Sequence, residues 1–498
     1  MTDVLLVTPP SRLQVYQNLG NDLSAIEPPV WSGLIAHFLR RHDIDVAMLD
    51  AEALRLTHEE TAARITETAA RLTVFVVYGQ QPSASTQCMP AARKTAEALA
   101  RLRFDGATLV MGTHPSALPE RTLREEPYTY VCEGEGPRTV LGLLRHLQGN
   151  GPVARVPGLW YRDGDAIRGT GRADPIADLD SELPRQAWEL LDMSLYRAHN
   201  WHCFHDLDSR SSYASLQTSL GCPFHCSFCC INTPFGTPSL RVWSTESVIA
   251  QIDTLVKEYG IRNIKVPDEL FVLNPRRVKE LCDRIIERGY GLNFWAYARI
   301  DTLNDTEMLT KLKAAGFNWL GLGLESASRE VRDVATKGRF GNIDMAETVR
   351  RVRDFGINVG ANYIFGLPDD TLDRMRQTLD FAMDLNTEWA NFYCAMAYPG
   401  SALYDLAKQK GWALPDDPGG PGWIGYSQHA YDCLPLPTDT LSAVEVLSFR
   451  DRAFTQYFTN PAYLALMEEK FGPVARTHVT EMTAQALPRR HLDTARGG

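Results

Sequence analysis

The chain has 498 residues, 44% of them apolar and 22% charged, with a formal net charge of −10. That is a globular composition with room for two to four domains, and its acidic balance argues against a general nucleic-acid binder, which would carry a basic stripe. No apolar run is long enough to span a bilayer, and the opening Met-Thr-Asp-Val-Leu-Leu-Val-Thr-Pro-Pro lacks the basic region and apolar core of a signal peptide, so a cytoplasmic protein without a membrane partner is expected.

The first 150 residues alternate strand and helix. Apolar, β-branched runs predict strands over Val4–Val7, Asp45–Leu49, Thr73–Tyr78, Thr108–Met111 and Tyr128–Cys132. Helical periodicity covers Trp31–Arg40, Thr57–Leu72 and Pro90–Leu102. The alternation predicts an α/β doubly wound, Rossmann-like parallel sheet, whose ligands sit at the carboxyl ends of the strands. Those ends and the loops after them carry Pro9, Gly79, Gln80, Ser85, Thr86, Gly112, His114, Glu133 and Gly134. The polar residues after Gly79 can bond a ligand or simply cap the next helix. Residues 151–210 are rich in Gly, Pro and Asp, with a hairpin expected at Arg162-Asp163-Gly164-Asp165, and read as a linker.

Next comes Gly-Cys-Pro-Phe-His-Cys-Ser-Phe-Cys, which places Cys222, Cys226 and Cys229 at C-x3-C-x2-C spacing. Three soft thiolates suit a cubane iron–sulfur cluster with one iron left open to a small molecule. A zinc knuckle is the alternative, with Cys230 or His225 as fourth ligand. From 211 to 410 the strand–helix alternation resumes. Strands are expected at Ser215–Thr218, Asn263–Val266, Asn293–Tyr297, Trp319–Gly323, Asn358–Ile364 and Glu388–Tyr393. Helices are expected at Ser244–Tyr259, Pro275–Gly289, Thr306–Ala315, Asp344–Phe355 and Thr371–Leu385. Six such units make a partial (β/α)6, TIM-like barrel with its chemistry at the carboxyl ends of the strands. Those ends carry Asp268, Glu269, Arg299, Asp301, Glu325, Ser326, Gly366, Tyr393 and Tyr398. A structural ion pair is the rival reading for Arg299 and Glu325, and burial that for Cys282 and Cys394. Residues 411–498 form a helical C-terminal extension, with helices at Leu441–Thr459 and Pro461–Phe471.

The cysteine loop, with Phe228 before its third cysteine, and the Gly-Leu-Glu-Ser run at Glu325 resemble the radical SAM enzymes. The resemblance implies a [4Fe-4S] cluster on Cys222, Cys226 and Cys229 whose open iron chelates S-adenosylmethionine (SAM). It implies SAM contacts from Phe228, Asp268, Glu269, Arg299, Glu325, Ser326, Ile364, Gly366 and Leu367, and an electron donor such as flavodoxin or ferredoxin. Glu27-Pro28-Pro29, Gly112-Thr113-His114-Pro115 and Gly134-Glu135-Gly136 resemble the cobalamin-binding domain fused to many of these enzymes. Cobalamin contacts are then implied for Pro9, Gly79, Gln80, Ser85, Thr86, Gly112, His114, Glu133 and Gly134. The D-x-H-x-x-G motif that supplies a histidine to cobalt is absent. The expected activity is methyl transfer to an unactivated carbon, or to phosphorus, of a small polar metabolite. Dehydration, epimerisation or cyclisation without methyl transfer is the alternative, and an iron–sulfur sensor or electron carrier a third. Cys433, Tyr393 and Tyr398 are candidates for substrate contact or hydrogen-atom donation.

Overall fold

The structure is a computed structural model, and it describes residues 2–79, 84–336 and 343–490. The first sheet has seven strands in the order β2-β1-β3-β4-β5-β6-β7. Five are parallel: β1 (Val4–Thr8), β2 (Val46–Asp50), β3 (Leu72–Val76), β4 (Ala107–Met111) and β5 (Tyr130–Cys132). β3 is buried along its whole length, as expected of a strand covered by helices on both faces. The hairpin expected in the linker forms β6 (Leu159–Asp163) and β7 (Ala166–Gly169), and these add antiparallel to the edge at β5.

Two helices differ from expectation. The one expected over 57–72 runs His58–Thr68, because Ala69 adopts a left-handed φ of 48° and Leu72 opens β3. The one expected to begin at Pro90 begins at Ala84, with Pro90 inside it. Proline disfavours an interior position, but residues 84–89 are all buried, partly beneath the C-terminal segment Gly422–Tyr426. Tertiary burial outweighs the local preference.

The second sheet has six parallel strands in the order β15-β14-β13-β12-β11-β8 and does not close. These are β8 (Tyr213–Ser215), β11 (Asn263–Val266), β12 (Asn293–Arg299), β13 (Phe317–Glu325), β14 (Asn358–Phe365) and β15 (Trp389–Cys394). β8 lies upstream of the expected 215–218. Thr218 is instead held by Asp268, and the chain runs on into a small antiparallel pair, β9 (Ser219–Leu220) and β10 (Arg241–Val242). Local signals set the helices between the strands. Ser244, Asn274, Asp305, Asp344 and Thr371 cap amino termini through their side chains, and Gly260 and Gly289 end helices with φ of 64° and 62°.

The lumen of this half-barrel is sealed at its amino-terminal end. Trp201, from the segment before β8, sits 4.9 Å from Trp295, 5.2 Å from Trp319 and 6.3 Å from Trp389. Helix Ala443–Phe458 packs on the edge strand β15, where the Arg450 Nε donates to the Phe392 carbonyl at 2.7 Å. Helices Pro461–Phe471 and Pro473–Thr483 follow. The second of these falls outside the two helices the sequence suggested for the tail.

A buried ion pair joins the first domain to the second sheet. Lys265 on β11 donates to both carboxylate oxygens of Glu27 at 2.8 and 3.0 Å, and the two side chains are 3% and 8% exposed. Removing one partner strands the other charge out of water, at a cost of about 3–5 kcal/mol. Glu27→Ala should lose about that much stability in denaturant titration, and Glu27→Leu with Lys265→Met should recover most of it.

Candidate active site at the facing strand ends

The cysteine loop lies between β9 and β10. Gly221 enters it at φ 87°, where a Cβ would come within 2.4 Å of the Ser239 carbonyl oxygen. Asn232 staples the loop: its Oδ1 accepts from the Cys222 amide and its Nδ2 donates to the Phe224 carbonyl, both at 3.2 Å. Cys222, Cys226 and Cys229 are half-buried free thiols, and Cys230 is buried beside them. Burial pushes the Cys222 thiol up to about 11 and raises the Cys229 thiol as well. A bound cationic centre would reverse that shift. Among the described residues no three His, Cys, Asp or Glu side chains converge as they would around a single ion. A cubane places each thiolate on a different iron, so the donor set fits a cluster better than a zinc knuckle.

The barrel strand ends surround this loop. Arg299 makes a bidentate pair with Asp301 at 2.9 Å, and its guanidinium lies 4.0 Å above the Phe224 ring. Glu325 ends β13 at a register shift, in the left-handed region at φ 58°, a sparsely populated conformation for a non-glycine residue. Burial raises its carboxyl to about 7, with Arg299 pulling the other way. Glu269 is likewise raised to about 7 by burial, opposed by Lys265. Phe228, Ile364 and Leu367 meet in one apolar cluster with Val331, Ala335 and Ala395. Gly366 follows β14 at φ 77°, where a Cβ would press to 2.6 Å from Val446. Its amide donates to Asp370 at 3.0 Å.

Two expected SAM contacts have their polar atoms committed elsewhere. Asp268 accepts from the Thr218 amide at 2.7 Å and from the hydroxyls of Thr218 and Ser219 at 2.5 and 2.7 Å. It thereby ties the end of β11 to the start of the cysteine loop. Ser326 is buried with its hydroxyl 3.1 Å from that of Thr378, and it accepts from the Ser328 amide.

The first sheet turns its strand ends toward the same loop. Glu133 accepts from Trp160 at 2.7 Å and pairs with Arg172 at 3.0 Å, and Arg172 also donates to the Thr233 carbonyl. Glu135 pairs with Arg241. Gly134 has φ 134°, and the first atom a Cβ there would meet is the Pro234 carbonyl oxygen at 3.8 Å. Gly112 lies so close to the Val77 carbonyl that a Cβ would come to 2.1 Å. Ser85 is fully buried and donates to that carbonyl, so its hydroxyl does not reach a ligand. His114 is enclosed by Thr86 at 3.3 Å and by the edge of Trp423 at 4.4 Å, and burial pushes it down to about 3, so it is neutral. Pro9 is buried, Gly79 is exposed at φ 71°, and Gln80 lies outside the described residues. Thr113 presents a buried hydroxyl with no protein partner. The orphaned Thr113 hydroxyl and the open backbone at Gly134 fit a corrinoid that takes no cobalt ligand from His114.

Of the remaining candidates, Tyr393 is half-buried and raised to about 12 by burial, whereas Tyr398 donates to the Tyr426 carbonyl at 3.3 Å. Cys433 is fully buried. Sequence reasoning missed Lys265, Tyr297 and Tyr16 at this site. Lys265 left a trace, a lone charge in an otherwise buried strand. The others sit in no motif.

Comparison with known proteins agrees with this geometry. The Radical SAM superfamily model matches residues 216–382, and the B12 binding domain model matches residues 19–144. The chain is 28% identical over 405 residues to an uncharacterized methyltransferase from Pyrococcus horikoshii, covering 81% of this chain and 83% of that protein. It is 25% identical to the anaerobic magnesium-protoporphyrin IX monomethyl ester cyclase of Rubrivivax gelatinosus, over 78% of this chain and 68% of that one. The fold superposes on the radical SAM methyltransferase TsrM from Kitasatospora setae, solved with cobalamin and a [4Fe-4S] cluster. The TM-score is 0.66 at 17% identity, covering 97% of this chain and 100% of that one. This chain is a radical SAM enzyme. More narrowly, it joins a B12-binding domain to the radical SAM half-barrel, and its cofactors are the [4Fe-4S] cluster, SAM and cobalamin.

Glu325 allows a direct check. Its folded-state value lies above the ordinary 4.5, so ionisation costs the folded chain. The stability present below about 4.5 is lost as pH rises through about 7. In cluster-free protein the fall in Tm between about pH 5 and about pH 8 should be smaller for Glu325→Gln than for wild type, and equal falls would contradict the shift.

Proposed function

We propose that this enzyme transfers a methyl group to an unactivated carbon, or to phosphorus, of a small polar metabolite. The observation that carries this reading is the direct contact of the first domain with the cysteine loop and its flanking strand, through Arg172–Thr233 and Glu135–Arg241. Groups held on the two sheets then share one chamber. Bound there, the cluster and SAM would supply a carbon-centred radical that removes hydrogen, and cobalamin the methyl group.

The protein's part is placement and exclusion. Cys222, Cys226 and Cys229 would hold the cluster, with Asn232 fixing their loop. Glu325, Glu269 and Arg299 would meet the charged ends of SAM, and the backbone at Gly366 would lie along its adenine. The Trp201 plug closes the lumen below, so a reactive radical meets substrate and not bulk water. A small electron carrier such as flavodoxin or ferredoxin would supply the electron.

The likeness to the Rubrivivax cyclase supports a second reading, ring formation without methyl transfer. Anaerobic turnover with trideuteromethyl SAM separates the two. Deuterated methyl in the product, dependent on added cobalamin, supports methyl transfer. Product without label supports cyclisation or a related rearrangement. Cys222→Ala should drop 5′-deoxyadenosine formation to background under either reading.

A further inference from the structure

Within the proposed reaction chamber, several polar side chains keep accessible surface although protein surrounds them. Tyr297 on β12, Tyr393 on β15, Tyr16 from the segment after β1 and His429 from the C-terminal extension are all half-buried. The last two come from opposite ends of the chain and meet over the mouth of the half-barrel, with ring centroids 5.5 Å apart. Their backbones are pinned together. Ser427 Oγ donates to the Val15 carbonyl at 2.8 Å, and Gln17 Nε2 donates to the His429 carbonyl at 2.7 Å. Gln428 binds both the amide and the carbonyl of Cys394, at 2.9 and 2.8 Å, which fixes the same segment to the end of β15.

The electrostatics connect the three tyrosines, and the ring contact with Tyr16 adds His429. Tyr16 is influenced by Glu27 and Tyr393, and Tyr297 by Tyr393, Glu27, Glu269 and Tyr16. His429 is held neutral by burial and by the nearby cations Arg450 and Arg489. Arg450 donates to its Nε2 at 3.4 Å, which leaves the imidazole proton on Nδ1. That N–H meets no acceptor among the described residues. Each of the cations around the chamber has a carboxylate partner: Lys265 has Glu27, Arg299 has Asp301, and Arg450 and Arg489 share Asp451. Glu269 and Glu325 add acidic character.

We propose that Tyr16, Tyr297, Tyr393 and His429 form the substrate seat, and that it prefers a planar ring bearing uncharged or cationic groups to one bearing a carboxylate or phosphate. This rests on the reading that the chamber is the reaction site. Phenol and imidazole faces stack against a ring, and their O–H and N–H groups bond its polar substituents. A cation gains from phenol faces and nearby carboxylates. An anion would enter a poorly solvated space in which each facing cation already has a partner.

The test is anaerobic calorimetric titration of the reconstituted holoenzyme with three probes that share one ring: tyramine, tyrosol and 4-hydroxyphenylacetate. Tyramine and tyrosol should bind at least about 10-fold more tightly than 4-hydroxyphenylacetate. Tyr16→Ala and His429→Ala should each weaken tyramine by about 10-fold while iron, cobalamin and SAM loading stay unchanged. Tyr16→Phe and His429→Gln guard against a folding defect, and each should weaken tyramine by a smaller factor. Equal or tighter binding of 4-hydroxyphenylacetate overturns the proposal, as does failure of all three probes to bind or an unchanged tyramine affinity in both alanine variants. Probe selectivity without labelled methyl transfer would count against the methyl-transfer reading alone.

Discussion

A parallel sheet of six strands that stops short of closure cannot fill its own lumen, and the rest of this molecule answers that constraint. A packed interior tolerates few voids, and an open edge strand exposes unpaired backbone groups. Trp201 fills the lumen at its amino-terminal end, helix Ala443–Phe458 covers the edge at β15, and the first domain roofs the carboxyl end. The roof is held by charge as well as by apolar contact. Lys265 reaches Glu27 from inside the barrel, and Ser215 gives the same carboxylate a further donor at 3.2 Å. The space left over is the one where the chemistry belongs.

That enclosure sets the electrostatics. Burial lifts the carboxyls of Glu269 and Glu325 to about 7 and lifts the cysteine thiols well above their ordinary range. Desolvation is the cause in each case, and a cationic ligand would lower the cost of keeping these thiolates and carboxylates ionised. Arg299 cannot do this alone, since Asp301 holds it in a bidentate pair. Other polar residues at the strand ends serve the scaffold. Asp268 ties a barrel strand to the cysteine loop, and Glu133 ties the first sheet to the segment beyond that loop through Arg172. Their type matches a ligand-binding role, but their hydrogen bonds are spent on position.

Much of this was legible in the chain. The cysteine spacing depends only on local order and the chemistry of sulfur. Strand–helix alternation and the caps at Ser244, Asn274 and Asp305 depend on contacts a few residues long, so the half-barrel elements fell close to where the pattern placed them. The departures share one cause. The helix from Ala84 carries Pro90 in its interior because distant residues bury its first turns, and β8 ends short of Thr218 because Asp268, 50 residues on, claims that residue's amide.

The sequence by itself determined the three-cysteine ligand set and the two-sheet α/β architecture, because both are written in spacings and periodicities that a single segment contains. Only the tertiary structure decided which polar residues face the chamber and which are consumed by the scaffold. It brought Tyr16 and His429 together across 413 positions, and it paired Glu27 with Lys265 between domains. No local pattern specifies such meetings. They follow from the need to close an open barrel with whatever the two ends of the chain bring to its mouth.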